Sequence, residues 1–263
     1  MSATAAQSDL FGLGGANALV VGGGQGMGEA SARLLARLGC NVAVLDFVAE
    51  RATALAAALG AGGTRAIALQ ADVLDDQAAA AAVGQAAEQL GPLDLMVTIV
   101  GQAGYVPLVE MDAATWDLDQ RRNLRYVFVM GQAWARLCIA AARPGAMVVV
   151  TSVSGIQSAP KHAAYGAAKA GLINLVKSMA VEWAPHQIRV NAVAPGSILT
   201  PRRPDSPERQ AEIAGSLIPM KRRGTVEDVA QAVAFLGSAM ARYVTGHTLA
   251  VDGGWTAASM YRR

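Results

Sequence analysis

The segment Ala163–Gly171 reads AAYGAAKAG and sets one phenol and one ammonium four residues apart among small side chains. On a helix, positions four apart share a face, so Tyr165 and Lys169 would stand together. A free tyrosine has a pKa near 10, and only about one in a thousand is ionised at neutral pH. Bringing that pKa to ~7 takes about 4 kcal/mol. A cation ~5 Å away at an effective dielectric of ~20 supplies about 3 kcal/mol of it. A tyrosine so placed can take the proton of an alcohol or return one to a ketone. Thirteen residues before Tyr165 stands Ser152, in Thr151-Ser152-Val153-Ser154-Gly155, a hydroxyl available to hold a reacting oxygen. The face that carries Tyr165 and Lys169 continues through Leu172, Val176, Met179, Ala180 and Trp183. A lysine in line with an apolar stripe is unusual, and implies that this end of the stripe opens on a cleft.

The rest of the chain must build that cleft. Short β-branched runs alternate with longer Ala/Leu stretches: strands at Asn17–Val21, Asn41–Leu45, Ala66–Leu69, Asp94–Val100, Ala146–Thr151, Ile188–Val193 and Thr248–Val251. Helices are expected after the first glycine loop to about Leu38, near Val48–Leu59, and from Asp75 to Leu90. Further helices are expected as one rod over Ala113–Ala142 and near His162–Ala184. Gly39 is placed as a C-cap and Gly91-Pro92 as a helix stop. Strand–helix alternation implies parallel strands with right-handed crossovers. The fold class is therefore α/β, a Rossmann-like doubly wound parallel seven-stranded sheet with helices on both faces. One domain over residues 1–263 is expected, with residues 1–12 as an N-terminal extension. Such sheets hold ligands beyond the carboxyl ends of their strands, where strand order reverses.

After the first strand comes Gly22-Gly23-Gly24-Gln25-Gly26-Met27-Gly28. Its glycines allow a tight turn and let a pyrophosphate approach the amides at a helix start. The loop follows a strand and opens a helix within the first βαβ unit, which is the context that gives the motif meaning. The second strand ends at Asp46, followed by Phe47. A carboxylate there accepts ribose hydroxyls and repels a 2′-phosphate by several kcal/mol. With no lysine or arginine at position 24 or 47, NAD is expected over NADP. Asp72-Val73, after the third strand, is placed to meet the adenine, and Val100-Gly101, at the end of the fourth strand, is expected to contact the cofactor as well.

Taken as a set, Gly22-xxx-Gly26-x-Gly28, Asp72-Val73, Ser152, Tyr165-Gly-Ala-Ala-Lys169, Asn191-Ala-Val-Ala-Pro195-Gly196 and Val251-Asp-Gly-Gly254 resemble the short-chain dehydrogenase/reductase family in order and spacing along essentially the whole chain. The resemblance implies hydride transfer to or from nicotinamide. It assigns the acid/base role to Tyr165 and the substrate-oxygen contact to Ser152. Lys169 would bind the nicotinamide ribose and lower the tyrosine pKa, and Asn123, in Asn123-Leu124-xxx-Phe128, would support a proton relay. Pro195, Gly196, Ile198 and Thr200 would embrace the nicotinamide amide. It also implies a dimer or tetramer built partly from the last strand and two helices, and a homotetramer is expected. Two departures stand out. Val21 replaces the usual threonine, and Thr98-Ile99-Val100-Gly101 stands where the family shows Asn-Asn-Ala-Gly. Thr98 is expected to replace part of the cross-strand tie of the first asparagine, with activity surviving.

Substrate contacts are expected from Gln102, Ala103 and Tyr105, from Ser154, Ile156 and Gln157, and from a lid over residues 197–220. These positions carry no paired cation, which favours a neutral alicyclic or aromatic secondary alcohol; Arg202 and Arg203 leave an acidic one open. His162, just before the helix of Tyr165, reads as a helix-start residue, with a substrate contact as the alternative. A nicotinamide sensor without turnover is the competing class, and the joint presence of Asn123, Ser152, Tyr165 and Lys169 argues against it.

Net charge is +2, from 22 Lys+Arg and 20 Asp+Glu, which gives no case for nucleic acid or an anionic membrane as partner. The short runs Pro201-Arg-Arg-Pro204 and Lys221-Arg-Arg223 read as solvated loops. No apolar run reaches the ~18 residues of a membrane span. The three histidines form no metal-ligand pattern, so no metal is expected. Cys40 and Cys138 belong to apolar segments and read as reduced buried thiols of a cytoplasmic protein.

Overall fold

The β-branched runs pair side by side in a single parallel sheet, and the Ala/Leu stretches between them return the chain as helices. The structure, a computed structural model, describes residues 9–201, 206–214 and 218–258. In chain order the elements are β1 (Asn17–Val21), α1 (Gly26–Arg37), β2 (Asn41–Asp46), α2 (Ala49–Ala61), β3 (Ala66–Gln70), α3 (Asp76–Leu90), β4 (Leu95–Thr98), α4 (Ala113–Gln120) and α5 (Tyr126–Ala140). They continue as β5 (Gly145–Val150), α6 (Ala163–Trp183), β6 (Ile188–Pro195), α7 (Pro207–Ala214), α8 (Val226–Gly237) and β7 (Thr248–Val251).

The sheet runs β3-β2-β1-β4-β5-β6-β7, so strand order reverses between β1 and β4. Val21 stands level with Leu45 on one side and Thr98 on the other, and Thr98 level with Val149. The carboxyl ends of β1, β2, β4 and β5 therefore open at one height. Strand alternation feeds both faces. Leu19, Val21, Ala43, Leu45 and Met96 pack with α3, α5 and α6, while Ala18, Val20, Val42, Val44, Leu95 and Val97 pack with α1, α2 and α8. Each such aliphatic side chain contributes roughly 1.5–3 kcal/mol on burial.

Several boundaries differ from expectation. β4 stops at Thr98 rather than Val100, because the chain turns away from β5 there. The expected rod over 113–142 is helical but is interrupted by a π-helical turn at Arg121–Arg125. Such turns occur mostly as single insertions at functional positions, and this one carries Asn123. Ala142, at φ +47, lies past the helix end. α7 and α8 had no assigned counterpart. Yet α8 announces itself by a capping box, in which the Thr225 side chain meets the Asp228 amide and the Asp228 carboxylate the Thr225 amide. Gly39 takes φ +90 just past α1, and Gly91 takes φ +98 at the stop of α3, as expected.

Lys221-Arg222-Arg223 is not a merely solvated run. Arg223 is buried and its guanidinium donates to the Ile198 carbonyl at 2.6 Å and the Ser197 hydroxyl at 3.1 Å, while Arg222 pairs with Asp228 at 2.9 Å. These bonds fix the start of the expected lid. Arg202, Arg203, residues 204–205 and residues 215–217 of that lid lie outside the described residues, as do residues 1–8 of the expected extension. Cys40 and Cys138 are buried and unpaired, and burial raises their thiols to about 12 and about 11. No helix among the described residues is long and apolar enough to cross a membrane, and none of them groups as a metal site.

Candidate active site

At the open end of β1 the glycine loop shapes a cradle that larger residues would fill. Gly22 and Gly26 take φ +80 and +60, and a Cβ on Gly28 would fall 1.9 Å from the Gly22 carbonyl oxygen. Gln25 is the N-cap of α1 without a side-chain cap bond, and Met27 packs partly buried against the core below. Amide donors at this helix start suit a pyrophosphate.

Asp46 is buried at the end of β2. Its carboxylate accepts from the Gly24 amide and the Val48 amide, each at 3.0 Å, so it ties the glycine loop to the start of α2. Phe47 beside it is exposed. The absence of a cation at positions 24 and 47 does not leave this corner without one. Arg51, one turn into α2, packs its Cβ where a Cβ on Gly24 would stand, 2.7 Å away. Its guanidinium lies 5.8 Å from the Phe47 ring centre, and one buried guanidinium nitrogen has no partner. Sequence spacing alone gave no signal for Arg51, since α2 had to be wound before it met Gly24. Asp72 turns its carboxylate back to the Leu74 amide at 2.9 Å and stays exposed, while Val73 is buried.

The candidate reacting groups converge beyond β4 and β5. Lys169 is 2% exposed, and its ammonium donates to the Val150 carbonyl at 3.2 Å. The apolar stripe below it, Leu172, Val176, Met179 and Ala180, is buried as the spacing required. Burial lowers the Lys169 ammonium from 10.5 to about 7. Its nitrogen is 5.7 Å from the centre of the half-buried Tyr165 ring. Gly155 lets the turn after Ser152 lie directly on this helix, because a Cβ there would meet the Lys169 backbone at 2.6 Å. The Ser152 hydroxyl oxygen accepts from the Ser154 amide at 3.1 Å, which fixes it at the end of β5.

Asn123 is fully buried in the π-helical turn. Its side chain accepts from the Gln102 amide and donates to the Gln102 carbonyl, both at 3.0 Å, and donates also to the Asp119 carbonyl. Gly101 lies between Asn123 and Lys169, since a Cβ there would stand 3.0 Å from the Asn123 side-chain oxygen and 3.1 Å from the Lys169 nitrogen. Val100 leans on Gly22 across the reversal point. Thr98 does not replace the expected cross-strand tie. Its hydroxyl is buried against the Tyr126 hydroxyl outside hydrogen-bond geometry and has no partner. On the far side, the Gly196 amide bonds the Val251 carbonyl at 3.0 Å and Ile198 is buried, pairing as a single bridge with Gly224. Pro195 closes β6, and Thr200 is half-buried.

Two of the expected substrate contacts, Ser154 and Tyr105, cluster with His162 beside Tyr165. His162 occupies the N-cap of α6 but makes no side-chain cap bond. Its Nδ1 instead meets the Ser154 hydroxyl at 3.2 Å, and its ring lies 4.7 Å from that of Tyr105 and 5.7 Å from that of Tyr165. Ile156 and Gln157 are exposed at the rim, and Gln102 is exposed with its backbone held by Asn123. Arg122, beside Gly104, is already engaged by the buried Asp119 carboxylate, with its Nε at 2.8 Å.

A family model described as enoyl-(acyl carrier protein) reductase matches residues 21–256. The chain belongs to the short-chain dehydrogenase/reductase family. It is accordingly an oxidoreductase of the alcohol dehydrogenase kind with a site for a nicotinamide dinucleotide. It is 42% identical to the cis-4-hydroxycyclohexanecarboxylate dehydrogenase of Sinomonas cyclohexanicum, over 91% of this chain and 96% of that one. It is 37% identical to 2-(S)-hydroxypropyl-CoM dehydrogenase 3 of Xanthobacter autotrophicus, over 90% and 95%. Among solved structures, a putative short-chain alcohol dehydrogenase from Sinorhizobium meliloti superposes with a TM-score of 0.88 at 36% identity, covering 96% of this chain and 99% of that one.

Proposed function

We propose that this short-chain dehydrogenase/reductase interconverts a secondary alcohol and its ketone with NAD, using Tyr165 as the acid/base. The observation that supports the reading is the wholly buried Lys169 ammonium 5.7 Å from the Tyr165 ring, on a helix against which Gly155 seats the turn that follows Ser152. When bound, NAD supplies the hydride acceptor. Ser152, whose oxygen accepts from the Ser154 amide, donates its hydroxyl proton to the reacting oxygen. Tyr165 takes the alcohol proton. Lys169, while charged, favours the phenolate and holds ribose hydroxyls. Asn123 fixes the Gln102 peptide, and through it the segment against which the nicotinamide half rests. The glycine loop from Gly22 to Gly28 holds the pyrophosphate, with Asp46, Phe47, Asp72 and Val73 around the adenosine.

The substrate we infer is a neutral alicyclic or aromatic alcohol. Support comes from the Tyr105 and His162 rings beside Tyr165 and from the pairing of Arg122 with Asp119. The cyclohexane ring named for the Sinomonas relative favours an alicyclic frame. Arg51 favours a second reading of the cofactor, in which NADP is also used, because its Cβ packs at Gly24 next to Asp46 and an unpartnered guanidinium nitrogen at this corner offsets part of the repulsion of a 2′-phosphate. A homotetramer is proposed on the exposed apolar side chains of α4 and α5, Trp116, Leu118, Phe128, Leu137 and Ile139.

The deciding experiment follows absorbance at 340 nm with NAD and with NADP against cyclohexanol, 1-phenylethanol and cis-4-hydroxycyclohexanecarboxylate. Turnover with NAD and the neutral alcohols is expected. A higher kcat/KM with NADP would overturn the cofactor reading, and a strong preference for the acid would overturn the neutral substrate. Tight NAD binding with no turnover of any alcohol would point to a sensor.

A further inference from the structure

After Thr98 the chain leaves the sheet at the point where it must be most accurately placed. Ile99 still donates to the Val21 carbonyl at 3.0 Å, but Val100, Gly101 and Gln102 belong to no strand. These residues thread between the glycine loop on one side and Lys169 and Asn123 on the other, with no room for a Cβ at Gly22 against Val100 or, without displacement, at Gly101. One anchor is the pair of hydrogen bonds by which the Asn123 side chain accepts from the Gln102 amide and donates to the Gln102 carbonyl. A second anchor stands three residues further along the same helical rod. Tyr126, the first residue of α5, is fully buried, and its hydroxyl donates to the Val100 carbonyl at 2.9 Å. Burial pushes the phenol above its usual range, so it remains a donor at any working pH. The neighbouring Thr98 hydroxyl contributes no bond of its own.

A buried tyrosine needs a partner for its hydroxyl, and any core carbonyl would serve that need. Tyr126 takes the Val100 carbonyl, at the opposite end of the unpaired segment from the Gln102 backbone that Asn123 holds, so the two side chains hold the segment at both ends. We propose that Tyr126 is a positioning residue for the nicotinamide half of the site, acting through Val100 and Gly101. The inference rests on the proposed placement of the nicotinamide against those two residues. It does not involve the adenosine corner, where the Asp46 carboxylate ties Gly24 to the start of α2 and Arg51 packs beside them.

The test separates the two halves of the cofactor. Dissociation constants of NADH and of ADP-ribose, which lacks the nicotinamide, are measured by calorimetry for the full-length protein and for Tyr126→Phe. The expected result is NADH binding weaker by about tenfold, with ADP-ribose within twofold and the thermal midpoint lowered by only a few degrees. Equal weakening of both ligands would show a global loss of structure, and no change in either would show a hydroxyl that serves the core alone; both overturn the proposal. Wild-type protein that binds NADH no better than ADP-ribose would remove the nicotinamide contact itself, and the proposal with it. Should Tyr126→Phe fail to fold, replacing the Val100–Gly101 amide by an ester weakens the Val100 carbonyl as an acceptor with Tyr126 in place. The same selective loss of NADH is expected there.

Discussion

Replacing Lys169 by methionine should stabilise the cofactor-free protein at pH 7, and the gain should shrink as pH rises. The lysine is 2% exposed and burial alone holds its ammonium at about 7 instead of 10.5. In the unfolded chain the same group keeps its proton up to about pH 10.4. Between those values the unfolded state binds more protons, so stability rises with pH by up to ~1.4 kcal/mol per pH unit. Below about pH 7 both states are protonated and the full penalty applies, about 5 kcal/mol as an upper bound. Above ~10.4 it is gone. Integrated from pH 7 to pH 9, the relief is about 2 kcal/mol. Methionine fills a similar volume with nothing to ionise. Urea unfolding of both proteins at pH 7, 8 and 9 gives the difference, from which groups common to both, such as Cys40 and Cys138, cancel. The methionine variant should lead at pH 7 and lose about 2 kcal/mol of that lead by pH 9. A lead that is constant or grows with pH would refute a depressed Lys169.

Thr98→Val removes a buried hydroxyl without a partner, and should raise the thermal midpoint by ~2–4 °C, about 1 kcal/mol, with activity retained; a fall would mean the hydroxyl is bonded after all. Gly101→Ala pushes a methyl against the Asn123 oxygen and the Lys169 nitrogen, and should lower kcat by about tenfold or more while the thermal midpoint moves only a few degrees. Asp46→Ala should shift the NADP-to-NAD ratio of kcat/KM toward NADP by about a hundredfold, a repulsion of a few kcal/mol removed. A further Arg51→Gln change should reverse part of that gain, and an unchanged ratio would exclude Arg51 from the 2′ position.

The sheet was legible because its signals are local. Runs such as Asn17–Val21 and Asn41–Asp46 are too short and too β-branched for helices, and the glycine loop, Gly39 and Gly91 punctuate them. Tyr165 and Lys169 were legible for the same reason, since their spacing and the stripe below them lie on one helix. What the sequence hid depends on pairs that meet only after folding. Arg51 reaches Gly24 across a βα turn, His162 turns from its own helix start to Ser154, and Arg223 reaches back to Ser197 and Ile198. The π-helical turn at Arg121–Arg125 was invisible because one extra residue in a helical rod leaves the surrounding apolar pattern nearly unchanged. The Tyr126 hydroxyl was hidden likewise, as its residue reads simply as a core aromatic.

The most direct test of the account is the rate of hydride transfer in Tyr165→Phe, measured in single turnover with NAD and whichever alcohol the wild-type protein uses best. The ring, and with it the contacts to His162, is retained, so cofactor affinity should stay within about twofold while the rate falls by at least the ~10²–10⁴-fold that a positioned proton acceptor supplies. Hydride transfer in Tyr165→Phe at near the wild-type rate would contradict it.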